Sequence, residues 1–140
     1  MDIAALIAWV VTALGGFVLL ARWIARGGIR QQRGGPTRLP APVVFGHFLL
    51  AAAGLVLWIV YLAVDKDALA WVSFAVLAVV ALLDFTLFGR WLPVVRATAP
   101  QAGAEAPAER HLPVPVVAAH GLFAAATLVL VLLAALGVGG

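Results

Sequence analysis

The sequence predicts an all-α integral membrane protein, built as four transmembrane helices in an up-down bundle and written as a tandem repeat of a two-helix hairpin. Three observations predict it. The chain of 140 residues is 65% hydrophobic and only 11% charged, with its charges clustered between long apolar runs. Residues 39–57, LPAPVVFGHFLLAAAGLVL, align without a gap on residues 112–130, LPVPVVAAHGLFAAATLVL, with 13 of 19 positions identical, both prolines and the histidine among them. Further back, Phe17-Val18-Leu19-Leu20-Ala21-Arg22-Trp23-Ile24 resembles Phe85-Thr86-Leu87-Phe88-Gly89-Arg90-Trp91-Leu92. The offset is 68 residues in this block and 73 in the other, so the second repeat has the longer loop. Residues 1–64 form the first repeat and 68–138 the second.

The first helix is expected over residues 3–24. Its arginines follow the apolar run, whereas a secretory signal carries positive charge before it. A retained helix is therefore expected. The second helix, over 42–64, starts at Leu39-Pro40-Ala41-Pro42. Proline suits a first turn because its φ is fixed and its missing N–H would be unpaired there anyway. The third is expected over 68–91. The fourth, over 114–138, starts at the matching Leu112-Pro113-Val114-Pro115. Each run is long enough to cross a hydrocarbon core of about 30 Å at about 1.5 Å per residue. Between them, Gly34-Gly35-Pro36-Thr37 and residues 97–109 read as loops, the latter mobile, and Gly137–Gly140 reads as a frayed tail.

All eight arginines fall at or within the first and third connections, while the second carries Asp65, Lys66 and Asp67. Loops rich in Lys and Arg stay in the cytoplasm. The expectation is a multi-pass protein of a bacterial inner (plasma) membrane, with Arg-rich loops cytoplasmic and both termini outside. Trp23 and Trp91 would mark the inner interface, and Trp58, Tyr61 and Trp71 the outer one. A pI near 10.7 does not argue for nucleic acid, because the basic residues follow this inside rule and suit anionic lipid headgroups. With no cysteine, disulfides, thiolate-held clusters and covalent haem attachment are excluded.

Ionisable groups inside a membrane are costly and mark function. Three are expected at similar depth: His47 on the second helix, Asp84 on the third and His120 on the fourth. Gly16 takes the place of Asp84 in the first repeat. If the repeats are related by a two-fold axis along the membrane normal, the second and fourth helices are diagonal and the histidines face each other. Small residues follow each at helical spacing: Ala51 and Gly54 after His47, Ala124 and Thr127 after His120. Such a stripe either lets helices pack closely or leaves room for a flat cofactor.

The sharpest expectation is a b-type haem held by His47 and His120, in an electron-transfer protein or subunit. Their nitrogens would lie about 4 Å apart across the iron. Arg22 and Arg90 would bind the propionates. In architecture the chain then resembles small four-helix membrane cytochromes b. A metal ion held by His47, His120 and Asp84 is the alternative for the same site. Without a cofactor, the histidines would serve helix packing in an accessory subunit of a larger membrane complex, or proton or ion passage in a small oligomeric transporter. His111 is expected outside the membrane. No serine-based triad, nucleophile elbow or phosphate loop is present, and nothing in the chain argues for catalysis on its own. The expected partners are the bilayer and either copies of the chain or a larger assembly.

Overall fold

The computed structural model describes residues 1–138, and among these the protein is all-α. Four long helices run over Asp2–Ala25 (α1), Ala41–Val64 (α2), Asp67–Arg96 (α3) and Val114–Ala135 (α4), with single 3-10 turns at Arg30–Gln32 and Ala108–His111. All four are long and apolar enough to cross a membrane. Many of their large apolar side chains point outward: Phe85 is 73% exposed and Leu122 71%. That inside-out arrangement is expected of a bundle solvated by lipid, whose acyl chains take the place of a soluble protein's polar shell.

Helix α1 packs chiefly against α4, and α2 against α3, with lighter packing of α3 on α4 and α1 on α2. The helices therefore form a closed ring in which α2 and α4 are diagonal. The two-residue link Asp65-Lys66, with Asp65 left-handed at φ 51°, turns α2 directly back into α3. One core fills the half of the bundle at the chain's acidic end, built from Trp9, Trp58, Tyr61, Leu77 and Val131. There the Trp58 indole N–H donates to the Asp2 carbonyl at 3.3 Å. A second core of Trp23, Leu39, Val44 and Ala108 closes the arginine-rich half.

Helix ends follow the proline and glycine signals, with one correction. Pro40 and Pro113 are the N-caps of α2 and α4, and a second proline follows in the first turn of each. Helix α1 ends where Gly27 adopts φ 91°. The Gly27 N–H then bonds the Ile24 carbonyl and the Gly28 N–H the Trp23 carbonyl, at 3.0 and 2.9 Å. This pair of reversed bonds satisfies carbonyls that a helix end otherwise leaves free. Gly137 ends α4 the same way, three residues short of the expected Val138, and Gly139 and Gly140 of the expected tail lie outside the described residues. Helix α3, expected to stop at Trp91 before Pro93, instead continues to Arg96. A proline removes the N–H that would bond the carbonyl of residue i−4, here Gly89, yet the helix runs on through it. Arg110 then caps the extension, donating to the carbonyls of Val94 and Ala97 at 3.0 and 3.1 Å.

Two further expectations are corrected. Trp23, Trp58 and Trp91 lie in the bundle interior, and of the tryptophans only Trp71 is exposed to the surroundings. Their rings fill space between helices, as does that of Tyr61, and do not face the surroundings. The third connection is also not free along its length. Glu109, 0% exposed, accepts hydrogen bonds from the Thr37 hydroxyl at 2.7 Å and from the Arg38 backbone N–H. Gln31, also buried, donates to Glu105 and the Ala106 carbonyl and accepts from the Ala108 N–H, each at 3.0–3.1 Å. A short loop buries polar groups only when they are paired. Here each connection supplies the other's partners, and the two Arg-rich loops form one layer.

Candidate metal centre

His47 enters from α2 and His120 from α4, each six residues into its helix from Ala41 and Val114. Because α2 and α4 are diagonal, the two rings point into the bundle from opposite sides. Their centroids lie 6.2 Å apart, with ring planes at 66°. Asp84 joins them from α3. One ligand atom from each of His47, Asp84 and His120 lies within 4.8 Å of the others. The three intramembrane ionisable residues singled out in the sequence are therefore neighbours.

Each histidine is held from behind by a backbone carbonyl of the helix that its own helix packs against most. His47 Nδ1 lies 3.2 Å from the Val80 carbonyl of α3, and His120 Nδ1 lies 2.9 Å from the Thr12 carbonyl of α1. A carbonyl only accepts, so each Nδ1 carries the proton of the neutral ring, and each Nε2 is left with a lone pair. Metal-binding histidines commonly donate the N–H that faces away from the ion to a carbonyl or carboxylate, which fixes the tautomer and the ring's aim. These carbonyls are ones that their own helices would ordinarily use, so each accepts twice, as two lone pairs permit.

The carboxylate of Asp84 lies 3.9 Å from His120 Nε2. That is too long for a hydrogen bond. Two lone-pair-bearing atoms face each other there, a pairing that a shared cation resolves. The side chain of Asp84 is 31% exposed and that of His120 11%, so Asp84 lies at the rim and the imidazole inside. Two imidazoles and a carboxylate form a borderline donor set that suits zinc and neighbouring divalent ions.

Space around the rings is tight. Helix α1 approaches His120 through Gly15 and Gly16: a Cβ on Gly16 would lie 3.1 Å from His120 Cε1, and one on Gly15 3.5 Å from His120 Nδ1. A glycine pair inside a helix costs roughly 2 kcal/mol relative to alanine, and here close approach to the imidazole is its reason. The stripe of small residues beside the histidines serves packing. Trp9 and Val76 fill the space over Gly54, within 3.0 and 3.2 Å of where a Cβ would be. Thr127 faces the Thr12 hydroxyl at 3.3 Å and donates to the Phe123 carbonyl at 2.7 Å. The room for a flat cofactor expected at Gly54 is thus taken up by an indole.

The two arginines assigned to propionates are not part of this cluster. Arg90 donates to the Arg38 carbonyl at 3.3 Å, in a cleft between α3 and the first connection. Arg22 is exposed near the end of α1. His111 is exposed in the loop layer, as expected. The groups missed by residue-by-residue reading are the Thr12 and Val80 carbonyls, which no sequence distinguishes from other carbonyls, and the Gly15-Gly16 pair, which was visible as an unexplained weakness in an otherwise good helix. Comparison of the chain with protein-family models, with curated proteins and with solved structures finds no match.

Proposed function

We propose that this is a polytopic membrane protein whose work centres on a divalent transition-metal ion held inside the bilayer by His47, Asp84 and His120. The observation that carries the reading is the way the rings are held. Both Nδ1 positions are tied to carbonyls of a neighbouring helix, which leaves Nε2 on each as a donor, and a carboxylate joins them within metal-ligand reach. In a tetrahedral site, ligands about 2.0–2.1 Å from the ion lie roughly 3.3 Å apart. The observed spacings, 3.9 Å between Asp84 and His120 Nε2 and none above 4.8 Å, close to that with small side-chain rotations. The ion would neutralise Asp84 in surroundings where a bare carboxylate is costly.

The same reading takes the chain as a tandem repeat of two hairpins, residues 1–64 and 68–138. Val80 follows Thr12 by 68 residues and His120 follows His47 by 73, so the two histidine–carbonyl bonds are equivalent under the repeat offsets. Burial supports it: Trp9 and Leu77, Trp58 and Val131, and Tyr61 and Ala134 are matched pairs and every member is in the core. The site breaks the symmetry at one place, with Asp84 opposite Gly16. Duplication supplies the two imidazoles, and that one difference supplies the acid. Such a site suits redox or transport chemistry carried out with other chains, so a homo-oligomer or a larger complex belongs to the reading. The Arg-rich loops are taken as cytoplasmic and both termini as outside.

A b-type haem is the second reading, favoured by the ring separation. Two imidazoles on opposite sides of one metal, at bonds of about 2 Å, bring their centroids close to the observed 6.2 Å. Asp84 speaks against it. Its carboxylate lies within 4.8 Å of a ligand atom of both histidines, in the space that the macrocycle itself takes up.

The test is metal binding by the purified full chain in detergent after chelator treatment. Titration with Co²⁺ should produce a d–d absorption band saturating at about one ion per chain, displaced by Zn²⁺. His47→Ala and His120→Ala should abolish it. An unaltered band in both variants, or no band in the native chain, overturns the ion reading. A Soret band in the protein as isolated replaces it with haem.

A further inference from the structure

The cleft that holds Arg90 has a composition of its own. It has a volume of about 530 Å³, lies where α3 leaves the apolar bundle, and is lined by Arg38, Arg90, Thr37 and Gln32 on one side and by Leu39, Pro40 and Pro93 on the other. We propose that it is a binding site for the phosphate of an anionic phospholipid, gripped by the guanidinium groups of Arg38 and Arg90.

Charge is the first support. Among the described residues, no carboxylate forms an ion pair with Arg38 or Arg90. Glu105 is paired with Arg30 and Gln31, and Glu109 is turned inward onto Thr37 and the Arg38 backbone. Neither Arg38 nor Arg90 has an ion-pair partner, and only one N–H of Arg90 is used, in its bond to the Arg38 carbonyl. Two planar guanidinium forks in one cleft match the oxygens of a phosphate. The other polar wall is already satisfied. The Gln32 side chain donates to the Gly28 and Leu39 carbonyls and accepts from the Ala41 N–H, so it holds the cleft's shape without competing for the anion.

Position is the second support. The cleft adjoins Trp91 on α3 and the Leu39-Pro40 start of α2, so it sits at the end of the apolar spans where headgroups lie. Toward the bilayer, α3 presents Phe85 and Leu82, both exposed. An acyl chain attached to the bound phosphate has an apolar surface to follow. A free phosphate would leave that surface and the proline wall unused.

The measurement is retention of phosphatidylglycerol by the full chain in nanodiscs of phosphatidylglycerol and phosphatidylcholine, read by native mass spectrometry after detergent release. The native protein should retain phosphatidylglycerol selectively, and each of Arg38→Gln and Arg90→Gln should lower that retention about fivefold. The same charge change at Arg26 and Arg96, which do not line the cleft, should leave it unchanged. Equal loss in all four variants would show general attraction to a basic surface and overturns the proposal. Displacement of the lipid by millimolar inorganic phosphate alone would show a soluble anion site and overturns it too.

Discussion

The Thr12 carbonyl holds the Nδ1–H of His120 at 2.9 Å from one helix away. The bond fixes both the ring's tautomer and its aim, and Val80 does the same for His47 at 3.2 Å. If the exposed nitrogens bind a metal, Asp84 should be the ligand most tolerant of change, being nearest the rim. Asp84→Asn should weaken Co²⁺ binding by about 10- to 100-fold while the histidine variants abolish it. Equal affinity in Asp84→Asn would remove the carboxylate from the site.

Gly16 separates packing from ligation. Its Cβ would lie 3.1 Å from His120 Cε1, whereas Gly46 has nothing within 4 Å. Gly16→Ala should improve the intrinsic propensity of α1 by about 1 kcal/mol and still weaken metal binding at least tenfold by pushing the imidazole off its aim. Gly46→Ala should give α2 a similar gain and leave metal binding unchanged. Metal affinity and thermal midpoint, measured on the same samples, would sink the idea if they rose together in Gly16→Ala.

The loop layer should depend on Gln31. Its buried amide makes three bonds to the third connection, and Gln31→Leu leaves the Ala108 N–H without a partner, at a cost of about 1–3 kcal/mol. Limited proteolysis should then cut residues 97–107 faster, with the four helices left intact. An unchanged cleavage rate would show that the apolar contacts of Ala108 hold the loop alone.

That layer should also loosen in acid. The Gln31 amide and the Arg30 guanidinium hold the Glu105 carboxyl below its ordinary value of 4.5. A carboxyl depressed on folding contributes fully above that ordinary value, and the contribution is lost as pH falls through the lower folded one. Cleavage of residues 97–107 should accordingly be constant from pH 8 to pH 5 and rise below about pH 4. Glu105→Gln should flatten that rise; a rise of the same size in the variant would place its origin elsewhere.

Orientation has its own readout. A reporter inserted at Gly103, exposed with φ 87°, should report the cytoplasm, and one fused after Gly140 the outside. The reverse pattern would move the metal centre and the lipid cleft to the outer half of the membrane.

Much of the architecture was legible in one dimension because its causes are local. Apolar runs of membrane length, the Leu-Pro-x-Pro starts and the absence of compensating polar sequence depend only on composition and order. His47, Asp84 and His120 stood out for the same reason: each is a costly group within an apolar run. The end of α3 was placed too early because the expected span stops with the apolar run at Arg90-Trp91, whereas the helix runs on to Arg96. Arg110 caps that extension by donating from the next connection to the Val94 and Ala97 carbonyls, a contact that no window around Trp91 contains.

What order along the chain could not decide was which groups meet. The histidines' nearness follows from α2 and α4 being diagonal, a consequence of α1 pairing with α4 and α2 with α3. Asp84 reaches His120 only because α3 packs beside α4. The indoles of Trp23, Trp58 and Trp91 look like interface anchors by position and turn inward because the bundle offers them fitted space, at Gly28 for Trp23. Arg90, equivalent to Arg22 along the chain, leaves the histidines for Arg38. Hydropathy and helix starts are properties of a segment, whereas a ligand set is a property of side chains from several segments, and only packing brings those within bonding distance.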